Sequence, residues 1–278
     1  MAVWQEKSTY LFDLDGCIYF GRTLAPGAGA LLETLRAAGK NVGFVSNNSR
    51  DTGWEVARRL EAMGLSVQPE HIVTATEYMG AFISRRFGPS RLKVAGSSAL
   101  IHSLEEAGHE VIPFGSGSVP ELVVISRDTE FSYEKLQIAA ADGARGARVV
   151  ATNPDLHHPG ENAARVPETG ALLAALQPLL DDEIQILGKP EPYLFQYGMD
   201  LFGVARTESV FTGDNLQTDI KGGLALGLTT VWINSNQEPP GTHSSPDITP
   251  DYHFVDMRAF LESIHDSDYF KMKGRRTQ

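Results

Sequence analysis

The stretch YLFDLDG, residues 10–16, runs from apolar side chains directly into two aspartates, Asp13 and Asp15, and a glycine. An apolar run that follows a short polar N-terminus is typical of a strand buried in the middle of a sheet. Because burying unpaired carboxylates is unfavourable, the pair indicates a cation nearby. Side chains at positions i and i+2 of a strand share a face, so we expect the two aspartates to share one ion or one reacting group. The alternative is an ordinary strand that ends in an Asp-rich turn.

Segments with strand and helix patterns alternate after this stretch. The apolar face of the first predicted helix consists of Ala28, Leu31, Leu32 and Leu35. A second buried strand is predicted at 41–45, and two capping boxes, Thr52 with Glu55 and Thr74 with Glu77, predict further helix starts. This order of elements predicts an α/β fold with a doubly wound, Rossmann-like parallel sheet and right-handed crossovers.

A second alternating run begins near residue 87. Its predicted elements are strands at 92–95, 122–125 and 148–151 and helices at 98–107 and 132–142. A loop of about twenty residues without periodicity follows, and loops of that length are usually functional or disordered. A helix is predicted after it, at 171–180. We therefore predict a core formed by residues 1–84 and 183–278, with an α/β cap domain inserted at 85–182.

The composition is that of an ordinary globular protein, with 42% hydrophobic and 21% charged residues among 278. A net charge of −11 argues against general affinity for nucleic acid or for an anionic membrane. Cys17 is the only cysteine, which fits a reducing compartment. The N-terminal residues lack the apolar segment of a signal peptide, and no apolar run is long enough for a membrane span. We therefore expect a cytoplasmic protein.

Polar motifs follow four of the predicted strands. These motifs are DLD at 13–15, SNN at 46–48, GKP at 188–190 and GDN at 213–215. Ligands of open parallel sheets bind outside the carboxyl ends of the strands, so one crevice is expected to gather these side chains. Gathered without a metal, Asp13, Asp15 and Asp214 would repel one another by roughly 4 kcal/mol per close pair. Ligation by oxygen alone favours Mg²⁺, which often shares a phosphate oxygen with the substrate.

The chemistry of phosphoryl transfer then suggests roles. A carboxylate beside Mg²⁺ is a competent nucleophile toward phosphorus, and Asp13 is our candidate, forming an aspartyl-phosphate. Asp15 is expected to protonate the leaving alcohol and then to deprotonate the attacking water. Lys189 is expected to offset the charge that develops during transfer. The groups expected to bind the phosphate oxygens are Ser46, Asn47, Asn48 and Lys189.

The segments DLDGCIY, SNNSR, GKPEPYLF and GDNLQTDIKGG, in this order, resemble the four motifs of the haloacid dehalogenase-like phosphatases. The insertion between SNN and GKP resembles the large type IIA cap of that superfamily. The resemblance implies that Asp13 is the nucleophile, that Asp15 is the acid/base and offers its backbone carbonyl to Mg²⁺, and that Asp214 is a metal ligand. It also implies a supporting role for Asp219, and Asn215 is assigned to the same supporting set. A homodimer formed through the cap is compatible with this branch.

The long loop holds the candidates for contact with the leaving group. Asn153 and Asp155 are expected there, together with His158, for which the stretch DLHHP resembles a segment of pyridoxal and phosphoglycolate phosphatases. The alternative is that these are turn residues and exposed histidines.

These patterns predict a Mg²⁺-dependent phosphatase acting on a small soluble phosphomonoester. Two alternatives remain open from sequence, namely a phosphotransferase or mutase that uses the same aspartyl-phosphate, and a non-catalytic phosphometabolite-binding protein. The candidate substrates are nucleoside monophosphates, pyridoxal phosphate, phosphoglycolate, glycerol phosphate and sugar phosphates, because the motifs address only the phosphate and the metal.

Overall fold

The computed structural model describes residues 3–159, 165–234 and 248–265. The strands, in chain order, are β1 (Thr9–Phe12), β2 (Tyr19–Phe20), β3 (Thr23–Leu24), β4 (Asn41–Ser46), β5 (Ile72–Thr74), β6 (Arg91–Ala95), β7 (Glu110–Val111), β8 (Leu122–Ile125), β9 (Arg148–Ala151), β10 (His157–Pro159), β11 (Arg165–Pro167), β12 (Gln185–Ile186), β13 (Ser209–Gly213), β14 (Thr229–Ile233) and β15 (Tyr252–Phe254). The α-helices are α1 (Ala28–Ala37), α2 (Gly53–Ala62), α3 (Ala75–Phe87), α4 (Ser98–Glu106), α5 (Tyr133–Ala144), α6 (Thr169–Leu176), α7 (Pro192–Asp200), α8 (Lys221–Leu226) and α9 (Met257–His265).

The chain folds into two compact units. The first unit takes in the described parts of Met1–Ser46, Ala57–Ile72 and Phe195–Gln278, and the second takes in Asn47–Val56 and Val73–Leu194. In sequence, the second unit therefore interrupts the first. The inserted cap domain expected at 85–182 falls within the longer range of the second unit, and its boundaries stay a prediction.

A parallel sheet organises the first unit. Its strand order is β15-β14-β13-β1-β4-β5, and β5 crosses the division between the units. The central strand β1 pairs in parallel with β4 on one side and with β13 on the other, so that Phe12 lies between Phe44 and Thr212. The chain continues from β1 toward β4 and returns only later to β13, which makes the β1/β13 edge a topological switch point.

Helix α1 has the buried apolar face that the sequence predicts. The four positions predicted as its apolar face, Ala28, Leu31, Leu32 and Leu35, are all buried. Helix α1 contacts α9, whose buried residues include Met257, Phe260 and Ile264.

The second unit has its own parallel sheet and core. The strand order is β12-β9-β8-β6-β7, and the strands predicted at 122–125 and 148–151 are β8 and β9. The buried side chains between sheet and helices include Val123, Ile125, Val149 and Leu173. A buried ion pair joins Lys93 Nζ to Asp142 Oδ2 at 2.7 Å, and Arg145 also pairs with Asp142. The predicted α/β class with parallel sheets is thus confirmed.

Three local elements differ from the sequence prediction. The sequence predicts no strand directly after Asp15, but this segment contains the hairpin of β2 and β3, and the long loop contains the antiparallel pair β10 and β11. Strands of two or three residues are too short to show a period in the sequence. The helix expected at 171–180 is α6, which ends at Leu176. Residues 160–164 of the long loop lie outside the described residues.

The two predicted capping boxes differ in outcome. Thr52 N–H donates to Glu55 Oε2 at 2.8 Å and Glu55 N–H donates to Thr52 Oγ1 at 3.3 Å, so the first box is confirmed. Thr74 accepts from Glu77 N–H at 3.2 Å, but the Glu77 carboxylate accepts instead from Gly53 N–H at 3.0 Å. The second box is therefore only half formed, because the Glu77 side chain satisfies a donor of another helix start.

None of the helices within the described ranges has both the length and the apolar character needed to cross a lipid bilayer.

Candidate active site

Asp13 lies at the carboxyl end of the central strand of the first unit. β1 ends at Phe12, and the Asp13 N–H donates to Thr212 O at 2.8 Å, which extends the pairing with β13 by one residue. The side chain is buried, with 7% of its surface exposed. Ser46 ends the neighbouring strand β4 and is buried as well. The topology thus fixes Asp13 at the switch point of the sheet.

Three carboxylates meet at this position. Asp13, Asp214 and Asp219 each contribute a carboxylate oxygen, and these oxygens lie within 4.8 Å of one another. At such distances each pair of like charges repels by about 4 kcal/mol at an effective dielectric constant near 20. A divalent cation offsets this repulsion, and a set of oxygen ligands without His or Cys suits Mg²⁺. The donor set therefore fits the ion that the sequence predicts.

Two glycines allow the approach of these carboxylates. Gly16 has φ +88°, and a Cβ at this position would overlap the Asp214 carboxylate. A Cβ at Gly213 would overlap the Asp219 carboxylate in the same way. The glycines of the DLDG and GDN motifs thus leave the space that the cluster occupies.

Backbone groups hold the loop after β13. Asn215 N–H donates to Asp219 Oδ2 at 3.1 Å, and the Asn215 side chain accepts from Gln217 N–H at 2.9 Å. A π-helical turn, Leu216–Ile220, begins there and leads into α8. Trp232 Nε1 donates to Asp214 O at 2.8 Å. Asn215 therefore contacts Asp219 through its backbone, while its side chain caps the turn.

Asp15 is held by a different partner. Its exposed carboxylate accepts a hydrogen bond from the Tyr19 hydroxyl at 2.7 Å, and Arg59 Nη1 donates to that hydroxyl at 3.4 Å. Burial raises the pKa of Tyr19 above its usual range, and the charge and hydrogen bond of Asp15 raise it further. The phenol therefore stays protonated and remains a donor. Because β1 ends at Phe12, the alternation of a strand does not govern the direction of Asp15.

In the second unit, Asn47 binds the backbone of Lys189. Asn47 Oδ1 accepts from Lys189 N–H at 2.7 Å, and Asn47 Nδ2 donates to Lys189 O at 3.0 Å. Asp155 Oδ2 accepts from both Asn47 Nδ2 at 2.9 Å and Asn153 Nδ2 at 2.8 Å. The Lys189 side chain is 1% exposed. The side-chain amide of Asn47 thus joins the SNN and GKP motifs, and the Asp155 carboxylate orients this amide.

Asn48 stabilises the turn that leads into helix α2. Its Oδ1 accepts from Arg50 N–H at 2.9 Å and from Asp51 N–H at 2.8 Å, and its Nδ2 donates to Asp51 Oδ2 at 3.1 Å. The side chain closes an Asx turn.

Glu168 lies at the centre of a second polar cluster in this unit. It accepts from Arg127 Nη1 at 3.1 Å and from Ser49 Oγ at 3.2 Å. His158 Nδ1 lies 2.7 Å from Glu168 Oε1, although the angles are not those of a hydrogen bond. Glu168, Arg127 and Tyr19 are not predicted from the sequence, because no spacing pattern distinguishes them.

The predicted site residues therefore form two sets. Those of the first unit are Asp13, Asp15, Ser46, Asp214, Asn215 and Asp219, and those of the second are Asn47, Asn48, Asn153, Asp155, His158 and Lys189.

Two family models match this chain. Residues 10–110 match a family described as haloacid dehalogenase-like hydrolase, and residues 186–259 match a family described as HAD-hydrolase-like. The first range includes Asp13 and Ser46, and the second includes Lys189 and Asp214.

Several known proteins are similar over nearly the whole chain. An acid sugar phosphatase of Staphylococcus aureus (strain USA300) is 29% identical over 260 residues, which cover 94% of this chain and 99% of that protein. The solved structure of a 4-nitrophenylphosphatase from Thermotoga maritima has a TM-score of 0.84 and 28% identity, covering 94% of this chain and 98% of its own. A p-nitrophenyl phosphatase from Archaeoglobus fulgidus also has a TM-score of 0.84 and 28% identity, with 93% and 99% covered.

Proposed function

Since this chain belongs to the haloacid dehalogenase-like hydrolases, we propose that it is a Mg²⁺-dependent phosphatase of small soluble phosphomonoesters, acting through an aspartyl-phosphate. The observation that carries the proposal is the convergence of Asp13, Asp214 and Asp219 at the switch point of the first sheet. The phosphatase names of the similar proteins support the same class of reaction.

In the first step, a carboxylate oxygen of Asp13 attacks the phosphorus atom and the bond to the leaving alcohol breaks. Asp15 gives its proton to the leaving oxygen. In the second step, the Asp15 carboxylate takes a proton from water, the water oxygen attacks the phosphorus atom, and the bond to Asp13 breaks. Inorganic phosphate leaves, and both aspartates return to their starting states.

Asp13 and Asp214 would hold Mg²⁺, with the backbone carbonyl of Asp15, and the position of Asp219 supports a role beside them. The ion supplies positive charge that stabilises the oxygens of the transferring phosphoryl group. Tyr19 keeps the Asp15 carboxylate in place through its hydrogen bond.

Four groups are assigned to the oxygens of the phosphate. The proposal gives this role to Ser46, Asn48, Lys189 and the amides around Asn47, with Lys189 offsetting the developing negative charge. The two hydrogen bonds between the Asn47 side chain and the Lys189 backbone support a fixed position for that lysine.

Asn153, Asp155 and His158 remain our candidates for contact with the leaving group. Asp155 orients Asn47, and His158 lies beside Glu168, which supports a positioning role for at least part of this set. The names of the relatives suggest sugar phosphates and aryl phosphates as the first substrates to examine. A homodimer through the inserted domain and a cytoplasmic location stay predictions.

The metal requirement has a direct test. Purified protein should release phosphate from p-nitrophenyl phosphate, EDTA should stop the release, and an excess of Mg²⁺ should restore it. The reason is that the carboxylate cluster repels an anionic substrate when no cation is bound. Turnover that continues at the original rate in EDTA would contradict the role of the metal.

A further inference from the structure

The first unit contains a pocket at the end of its sheet opposite to the carboxylate cluster. Its volume is about 460 Å³, and Asn41 and Val42, the first residues of β4, line it. Asp13 and Ser46 lie at the carboxyl ends of β1 and β4. The length of β4, about 16 Å at 3.3 Å per residue, separates the two ends. The pocket is therefore distinct from the proposed phosphatase site.

The charge of the pocket has one sign. Of the described residues that line it, the ionisable ones are Arg36, Lys40 and His71, and all three are basic. This contrasts with the net charge of −11 for the whole chain. A concave site lined by charges of one sign concentrates ions of the opposite sign. The pocket thus favours anions, although the protein as a whole repels them.

The two cationic groups, Lys40 and Arg36, have defined surroundings. Lys40 is 6% exposed, and its ammonium group donates to the backbone carbonyls of Gln5 and Lys7, which fix its position. Arg36 is exposed, and its Nη1 makes one long hydrogen bond of 3.3 Å to Ser66 O. Its planar guanidinium has five N–H donors in a fork that suits phosphate and carboxylate groups. Lys40 therefore supplies a fixed charge, and Arg36 supplies an adaptable one at the rim.

The pocket also has an apolar side. The ring of His71 packs against Phe202, with 5.1 Å between the ring centroids, and Val42 and Val67 are buried beside them. The volume lies within the range of small-molecule sites, about 300–1,000 Å³. A ligand that carries an anionic group on a compact ring would use both sides of the pocket.

We propose that this pocket is a second binding site, which takes a small organic anion bearing a phosphate or a carboxylate on an apolar or planar body. The anionic group of the ligand contacts the Arg36 guanidinium and is attracted by the positive charge of Lys40. The apolar or planar body of the ligand packs against Phe202 and His71. The inference does not depend on the reaction proposed for Asp13.

Calorimetric titration of the metal-free protein tests this site with two probes, phenylphosphonate and phthalate. Binding of either probe should weaken at least tenfold in Arg36→Glu, because the change reverses the charge at the rim. The matched control is Arg258→Glu, which makes the same charge change at an exposed residue of α9 outside the pocket. Hydrolysis of p-nitrophenyl phosphate without probe should be the same in both variants and the wild type.

The two probes separate the ligand classes, and either one binding in an Arg36-dependent manner supports the site. The proposal is overturned if neither probe binds the wild type, or if Arg36→Glu binds both as tightly as Arg258→Glu does. Thermal unfolding verifies that the variants are folded. His71→Gln provides a second variant in case Arg36→Glu is not, and it should weaken binding in the same direction.

Discussion

Gly188 lies directly before the lysine whose backbone Asn47 binds. A Cβ at this position would come within 2.6 Å of Thr152 O and 2.7 Å of Asn47 Oδ1. Gly188 N–H donates to Thr152 O at 2.8 Å, so the segment cannot shift away without losing this bond. The glycine of the GKP motif is therefore required by the close approach of Thr152 and Asn47.

Gly188→Ala should lower the free energy of unfolding by about 1–3 kcal/mol, as overpacking of a buried site does. It should also lower phosphate release, because the displaced segment carries Lys189. The matched control is Gly115→Ala, since no atom lies within 4 Å of a Cβ at Gly115. Urea unfolding and a phosphate-release assay measure both effects, and equal stability of the two variants would contradict this reading of the site.

Tyr19 provides a test of the role of Asp15. The hydrogen bond from the Tyr19 phenol stabilises the ionised Asp15 carboxylate, so its loss in Tyr19→Phe should raise the pKa of Asp15. In the proposed mechanism, Asp15 acts as an acid in the first step, which kcat/KM reports. The alkaline limb of the pH profile of kcat/KM should therefore move to higher pH in Tyr19→Phe.

The raised pKa of Tyr19 itself removes one complication, because the phenol does not titrate in the range of that limb. Tyr133→Phe is the control, since the Tyr133 side chain is 81% exposed. A profile that is identical in Tyr19→Phe, Tyr133→Phe and the wild type would exclude Asp15 as the acid of the first step.

At the scale of single elements, the sequence predicts those helices and strands whose own residues form a regular pattern of apolar positions. The apolar face of α1 and the strands at 122–125 and 148–151 have the predicted positions, because a buried face produces a regular pattern of apolar residues. The pairs β2–β3 and β10–β11 were missed because they are too short to have a period. The Glu77 side chain was assigned to its own helix, but it accepts from Gly53, which is 24 residues away.

Helix α5 offers a test of the capping argument. Ser132 precedes the helix and its hydroxyl accepts from Lys135 N–H at 3.2 Å. Ser132→Ala should lower the free energy of unfolding by about 1 kcal/mol, whereas Ser132→Gly should lower it by only a few tenths. Urea unfolding of the two variants checks this order. An equal loss in both would show that the hydroxyl does not cap the helix.

At the scale of the whole molecule, the sequence predicts which polar residues follow strands better than it predicts the contacts that those residues make. Asp13, Ser46 and Asp214 could be predicted to lie together because each lies at the end of an apolar strand, and parallel strands of one sheet have their carboxyl ends at the same edge. The expectation that Lys189 follows a strand of that same sheet is wrong, because the strand before it, β12, belongs to the sheet of the second unit. The hydrogen bonds between Asn47 and Lys189 join residues that are 142 positions apart. No local sequence pattern predicts such a pair, since the fold alone determines which loops contact each other.

The cluster of Glu168 with Arg127, Ser49 and His158 is another product of the fold. Ser49 and Glu168 are 119 residues apart, and Arg127 and Glu168 are 41 residues apart. The resemblance to a family suggested His158, but its neighbour Glu168 could be found only in the folded chain.

The central claim is that Asp13 is the nucleophile of a phosphatase, and phosphate release by Asp13→Asn tests it most directly. The variant should lose activity by roughly a thousandfold or more, as variants of catalytic nucleophiles do. Asp200→Asn, at an exposed residue of α7, is the control and should keep wild-type activity. The thermal midpoint of metal-free Asp13→Asn should not fall, because one of three mutually repelling carboxylates is removed. Substantial turnover of p-nitrophenyl phosphate by folded Asp13→Asn would contradict the account.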